Sequence, residues 1–445
     1  MSDNIRIIMI DQKELLQSLI LDFQKKLPLK IFSRDEVLPT DSKKVISVCG
    51  VRRSGKTFVL FDTINRLIKS GVPKTEILFL SFDDERLQLK RQELDLILQS
   101  YRELYPKTDM QNVYIFFDEV QMADGWEQFV RRIYDSVSKH VFISGSNSKL
   151  LATDIATSLR GRSLQFEVFP MSFSEYCRFK NIETNTPDTA TKALVYSGFN
   201  EYMRFGGFPE LVMNQYRHLP QTIQEYYHVM LYRDLIERYQ VKNIPVLKYF
   251  ISRLLANHTS PTSINKIYNE IKSAGLKTDK NVLYDLSEQL EAINFAQRLG
   301  KFDNSVLKTE LASERKVYFI DNGFLQALKQ TTSNDNGKLL ENAVFMHYRR
   351  QTPFMRGLYF YKKNRECDFV VLDREKPVEI IQACYNFSSP DTRKREISAL
   401  LEASDYLKCN NLKIVSLDPN EEIKAASKTI RVINAAEVML GRNNE

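Results

Sequence analysis

Five cysteines in 445 residues, at positions 49, 177, 367, 384 and 409, are too few and too scattered for a disulfide scaffold. None belongs to a CxxC pair, so the spacing used by zinc modules is missing too. The chain also lacks any uncharged apolar run of about 18 residues, the length needed to span a bilayer. Its opening, MSDNIRIIMIDQK, has neither the basic start nor the long apolar core of a secretion signal. These absences predict a reducing, cytoplasmic setting with no membrane partner. Charge of one sign is not in large surplus either: 63 Lys plus Arg against 56 Asp plus Glu gives +7, a mild basic excess compatible with phosphate polymers without requiring one.

What is present is ordinary globular material, 43% hydrophobic and 27% charged, in a chain too long for one core of roughly 100 to 200 residues. The spacing of apolar residues over 13–27 predicts a leading helix. From Lys44 onward short, almost wholly apolar segments (VISVC, EILFLSF, VYIFFD, HVFISGS, LQFEVF) alternate with helical stretches. Strands of that kind suit a parallel sheet covered on both faces, hence an α/β fold. Beyond Pro170 the pattern is helical up to Gly206-Gly207-Phe208-Pro209 and then through QTIQEYYHVMLYRDLIERYQ. Three amphipathic helices follow from Val246, with a Gly275 turn between the second and third, then two strand-like segments, FAQRLG and KVYFID. That order predicts a winged helix. A last α/β unit runs from the helix LLENAVFMHYRRQ through LYFYKK, CDFVVLD, VEIIQACY and LKIVSLD. The expected division is 1–40 lead-in, 41–172 α/β core, 173–245 helical lid, 246–335 winged helix and 336–445 terminal unit.

Residues 50–57 read Gly-Val-Arg-Arg-Ser-Gly-Lys-Thr, a match to GxxxxGK[ST] that follows a strand and opens a helix, as a phosphate-cradling loop must. Gly50, Val51, Arg52, Arg53, Ser54, Gly55, Lys56, Thr57 and Phe58 are therefore the expected ATP contacts. Lys56 supplies charge to the β- and γ-phosphates and the Thr57 hydroxyl binds Mg²⁺. The strand VYIFFD ends in two acids: Asp118 for the magnesium ion and Glu119 to polarise the attacking water. At the end of HVFISGSNS stand Ser144, Ser146 and Asn147; the sequence leaves open which one senses the γ-phosphate, and Asn147 is the selected candidate. Arg160 and Arg162, in SLRGRS, are the preferred arginines for neutralising charge at that phosphate, ahead of Arg52, Arg53 and Arg233.

GVRRSGKT, FFDEVQ with Trp126, FISGSNSKLL, RGRS before FPMSFSEY, GGFPELV, YRDLIERY and CDFVV together resemble the bacterial and archaeal AAA-type ATPases that carry a conserved domain of unknown function behind the ATPase core. The resemblance covers most of the chain from about residue 40. It implies an AAA-like module of the STAND-related branch, then a winged helix, then a restriction-endonuclease-like fold.

Two downstream sites complete the expectations. On the third helix of the winged-helix segment, Val282, Leu283, Leu286, Leu290 and Ile293 are assigned inward, leaving Lys277, Lys280, Asn281 and Tyr284 for DNA. In the terminal unit Glu341, Asp368 and Gln382 align with a metal-dependent nuclease site. No lysine lies between Glu379 and Arg393, so that site reads as degenerate. The leading functional expectation is a Mg²⁺-dependent ATPase coupled to DNA binding or remodelling as a homo-oligomer, up to a hexamer. The alternatives are a STAND-like ATP-controlled switch acting on protein partners, and an ATP-gated nuclease.

Overall fold

The computed structural model describes residues 11–145, 161–185, 188–305, 309, 312–328, 335–352 and 357–442. They fall into two compact units: Met1–Gly50 with Gly55–Val168, and Val51–Ser54 with Phe169–Glu445.

The first unit is built on five parallel strands, β1 (Val45–Cys49), β2 (Ile77–Ser81), β3 (Tyr114–Asp118), β4 (Val141–Gly145) and β5 (Ser163–Glu167), in the order β2-β3-β4-β1-β5. Their nearly unbroken apolar sequence follows from burial of both faces, because successive side chains of a strand point in opposite directions. Val45, Leu78, Leu80, Ile115, Phe117 and Ile143 enter one core, while Ile46, Val48, Ile77, Phe79, Phe116 and Phe142 enter the other. The leading helix forms over Gln12–Lys25, capped by the Asp11 carboxylate. It inserts Leu16 and Ile20 into the first of these cores.

In the second unit the helices Phe173–Phe179 and Thr189–Phe205 precede the glycine pair; Pro209–Met213 and Leu219–Val229 follow, and Met230–Glu237 continues as a π-helical stretch. Next come helices Ile244–Ala256, Ile264–Ser273 and Lys280–Ala292 and an antiparallel pair, β6 (Ala296–Gly300) and β7 (Arg315–Phe319). On Lys280–Ala292 the buried positions Leu283, Leu286, Ser287 and Leu290 are spaced for one helical face, and Ala292 is buried at its end. Val282 stands off that face and is exposed, which corrects its inward assignment. The unit closes with a six-stranded mixed sheet, β8 (Leu358–Lys362), β9 (Glu366–Asp373), β10 (Lys376–Cys384), β11 (Leu412–Ser416), β12 (Glu421–Ala425) and β13 (Lys428–Asn434), ordered β12-β13-β11-β10-β9-β8. The β12–β13 hairpin and the covering helix Pro390–Leu407 were not drawn from the sequence; β12 (EEIKA) is an edge strand rich in charge, with little apolar signal.

The glycine pair has a defined job. Helix Thr189–Phe205 ends on Gly206 at φ 84°, ψ −172°, a conformation that glycine alone adopts readily. Buried Asp321 accepts hydrogen bonds from the backbone N–H groups of Gly207 (2.7 Å) and Gly323 (2.8 Å). A β-carbon on Gly206 would lie 1.7 Å from Asp321 Oδ1. Gly206→Ala is therefore expected to destabilise the second unit by about 3 kcal/mol from backbone strain together with loss of this clasp. An unchanged denaturant midpoint would refute that role.

Candidate functional site

β1 is buried along its whole length and delivers the chain into the loop at Gly50. Gly55 then takes φ 98° as the N-cap of helix Lys56–Lys69. Its lack of a side chain lets the loop turn sharply, and no side chain caps the helix. The first backbone N–H groups, at the positive end of the helix dipole, are in the arrangement that binds phosphate.

The neighbouring strand brings the acids to this helix start. Thr57 Oγ1 donates to Asp118 Oδ2 at 2.7 Å, and Ser144, at the end of β4, donates to Asp118 Oδ1. The same Ser144 hydroxyl accepts from the Glu119 backbone N–H at 3.1 Å. Ser144 thus links the two acids. Glu119 occupies the left-handed region at φ 51°, turning its side chain off the strand end. Its Oε1 lies 3.6 Å from the buried Lys56 ammonium and its Oε2 accepts from Gln121. Burial raises the Asp118 carboxyl above its ordinary range, with Glu119's charge adding to the effect; the Ser144 and Thr57 hydrogen bonds and the Lys56 charge oppose it. A carboxylate that burial leaves costly to ionise alone is a natural partner for a cation. Thr57 and Asp118 fit a hard divalent ion such as Mg²⁺, which takes few protein oxygens and keeps its remaining positions for phosphate and water.

Residues 42–177 match a family model described as an AAA domain, and residues 196–335 match one described as a domain of unknown function. Over 93% of its length the chain is 35% identical to "Uncharacterized protein MJ1544" of Methanocaldococcus jannaschii, spanning 91% of that protein. The chain belongs to this AAA-domain family. A second member, an uncharacterized protein of Haemophilus influenzae, is 28% identical over 83% of the chain and 88% of its own length. Among solved structures, the Walker-type ATPase paby2304 of Pyrococcus abyssi aligns over 72% of the chain and 95% of its own, at 17% identity and a TM-score of 0.38. The AAA domain is thus a P-loop nucleotide-binding module on a five-stranded parallel sheet.

The remaining candidates in this AAA-domain protein fare unevenly. Ser146, Asn147 and Arg160 lie outside the described residues. Arg162 immediately precedes β5, whose first residue pairs with Val45 at the start of β1, four residues and roughly 13 Å from the strand end that enters the loop. There it pairs with Asp135 (3.2 Å). Arg52 Nε pairs with Asp234 Oδ2 at 2.7 Å and Arg53 lies 3.8 Å from Glu210, so both loop arginines carry carboxylate partners. Phe58, the last loop candidate, is largely exposed on the first helical turn. Lys277, Lys280, Asn281 and Tyr284 are all exposed, with Lys280 lying 5.7 Å from the Tyr268 ring. Among the described residues no helix is long and apolar enough to cross a membrane.

The terminal sheet holds a second polar cluster, and it contains a lysine the sequence reading missed. Lys316, on β7, is buried, and its Nζ lies 2.9 Å from Glu341, 2.8 Å from Glu366 and 2.8 Å from Asp368. Tyr318, two residues on and on the same strand face, donates to Glu341 at 2.7 Å. Gln382 Oε1 accepts from the Asp368 N–H (3.2 Å), and Asp368 Oδ2 accepts from the Ala383 N–H (3.0 Å). Burial alone would lower the Lys316 ammonium, but the charges of Asp368 and Glu341 hold it well above its ordinary range. Glu379 points elsewhere, to Lys413 at 2.5 Å. The lysine of this cluster thus comes from another strand, outside the 379–393 stretch that has none, while Gln382 still stands where the expected site would carry an acid. A charged residue sharing a strand face with Tyr318 was the available signal.

Proposed function

We propose that this protein is a Mg²⁺-dependent ATP hydrolase that couples turnover to binding or remodelling of DNA as a homo-oligomer. The observation that carries the reading is the meeting of Thr57, Asp118, Lys56 and Glu119 beyond the carboxyl ends of β1 and β3. Magnesium, when bound, neutralises charge on the β- and γ-phosphate oxygens, and Thr57 and Asp118 would hold it. Lys56 binds the same phosphates as a point charge. Once its ammonium engages phosphate, Glu119 is released from the 3.6 Å pair to accept a hydrogen bond from the attacking water. Gln121 donates to that carboxylate, and Ser144 holds the Glu119 backbone N–H.

Support for DNA comes from the three helices followed by an antiparallel pair, read as a winged helix, and from the exposed Lys277, Lys280, Asn281 and Tyr284 around the third helix. The test is ATP turnover with and without duplex, single-stranded and four-way-junction DNA, together with the mass of the nucleotide-bound protein in solution. Turnover stimulated by DNA is expected, and log affinity should fall linearly with log salt. Lys280→Ala is expected to reduce that slope by about 1. Stoichiometric bound nucleotide with indifference to DNA would instead favour the ATP-controlled switch.

A further inference from the structure

We propose that Asp234 is a positioning residue of the nucleotide site. Through Arg52 it holds the middle of the phosphate-cradling loop in its anion-binding shape, and occupancy of the loop steadies the π-helical stretch in return. This role requires nucleotide binding at the loop and is independent of hydrolysis and of DNA. Val51–Ser54 group with the second compact unit, together with Asp234, Glu210 and Tyr226, whereas Lys56 groups with the first. The four residues between the loop's two glycines therefore fold with helices far along the chain, and Arg52 meets Asp234 across 182 residues of sequence.

Three observations distinguish this contact from an ordinary surface ion pair. First, Asp234 lies on the buried side of its helix with Met230, Leu231 and Leu235, and its side chain is 7% exposed. A carboxylate so placed is costly unless a cation meets it, and Arg52 Nε does so at 2.7 Å. Second, Asp234 sits inside Met230–Glu237, where the helix begun at Leu219 passes into π geometry. The wider hydrogen-bonded ring of a π-helix makes such stretches rare, and those that occur are found frequently at functional sites. Third, Arg53, next in the loop, takes φ 65°, a left-handed backbone unfavourable to a residue with a β-carbon. It is held there by the same unit: its guanidinium lies 3.8 Å from Glu210 and 5.9 Å from the centre of the Tyr226 ring. The Tyr226 hydroxyl in turn donates to Glu210 at 2.5 Å.

Left-handed residues in a tight loop turn successive backbone N–H groups toward one point, the concave arrangement that binds phosphate. With both loop arginines pinned before any anion arrives, less order remains to be imposed on binding. Linkage makes the effect reciprocal: nucleotide favours the loop shape that the Arg52–Asp234 pair favours, so it must stabilise that pair by the same factor. Simple electrostatics acts the other way, because removing an acid close to a phosphate site strengthens the attraction for a polyanion. The sign of the change in affinity therefore separates positioning from charge.

The full-length protein is titrated by calorimetry with ADP and with a β,γ-methylene analogue of ATP, both with Mg²⁺, so that turnover plays no part. Asp234→Asn, which keeps the size of the side chain and removes its charge, is expected to weaken both about 10-fold at unchanged stoichiometry. Arg52→Gln should do the same, and the double variant should bind no more weakly than either single one, since all three lose the same pair. Hydrogen exchange over 230–238 in the parent should slow when ADP and Mg²⁺ bind, a measurement that needs no variant, and Asp234→Asn should lose that response. Unchanged or tighter binding by Asp234→Asn overturns the assignment, as do additive losses in the double variant or exchange over 230–238 indifferent to nucleotide in the parent. A parent that binds neither nucleotide overturns the nucleotide reading and this role together.

Discussion

Glu119→Gln is expected to lower steady-state ATP turnover by about 10²- to 10³-fold while leaving nucleotide affinity within a few-fold of the parent. The substitution keeps the size of the side chain and its left-handed backbone position, so the Ser144 hydrogen bond to the residue 119 backbone persists. What disappears is the negative charge that draws a proton from the attacking water. The pair with Lys56 also disappears, which leaves that ammonium freer for phosphate and argues against a loss of affinity. Lys56→Ala is the contrast: it removes the charge that meets the phosphates, so binding itself should weaken. Turnover by Glu119→Gln at the parent rate, measured as phosphate release with binding followed separately by calorimetry, would sink the assignment of Glu119 as the water-polarising group.

The second large effect concerns stability. Lys316→Met should destabilise the second unit by about 3–5 kcal/mol, the usual range when one partner of a buried ionic cluster is removed. Methionine fills much of the volume, so the loss is chiefly electrostatic: Glu341, Glu366 and Asp368 are left facing one another with their shared cation gone. The effect should depend on pH in a definite direction. Burial, followed by the charge of Asp368, already holds the Glu341 carboxyl above its ordinary value of 4.5. A carboxyl raised in the folded state favours folding at low pH, where it is protonated, and withdraws that support as pH climbs from 4.5 through the folded value. Without the ammonium the folded value rises further, so the deficit of Lys316→Met should be smallest in acid and grow toward alkaline pH. Unfolding curves at several pH values check this; a deficit that is flat or that widens in acid would show that the lysine does not hold these acids as described.

These two sites also show what a sequence discloses. The nucleotide loop and its acid pair could be read directly because each lies on a contiguous stretch whose flanks announce its context: an apolar strand before Gly50, a helix after Lys56, an apolar strand before Asp118. The parallel sheet was legible for the same reason, since burial on both faces leaves strands with almost no polar residue. Legibility failed where position depends on packing between distant segments. Lys316 belongs by sequence to a hairpin and by chemistry to the terminal sheet. Arg162 follows the sensor strand closely in sequence, yet the parallel crossover returns it to the opposite end of the sheet. Val282 was misplaced for a local reason: it is adjacent to Leu283, and a helix turns about 100° per residue, enough to carry a neighbour off the apolar face.

The hydrogen bond between Asp321 and the Gly207 backbone has a topological side. The chain departs from this point after helix Thr189–Phe205 and comes back to it 114 residues later, so everything between is an excursion with a common stem. Segments whose two ends are held together can be lengthened, trimmed or exchanged without disturbing where their flanks begin, as domains with adjacent termini accept insertion. The three helices lie within this excursion, and its returning β6–β7 hairpin is held a second time where Lys316 meets Glu341, Glu366 and Asp368.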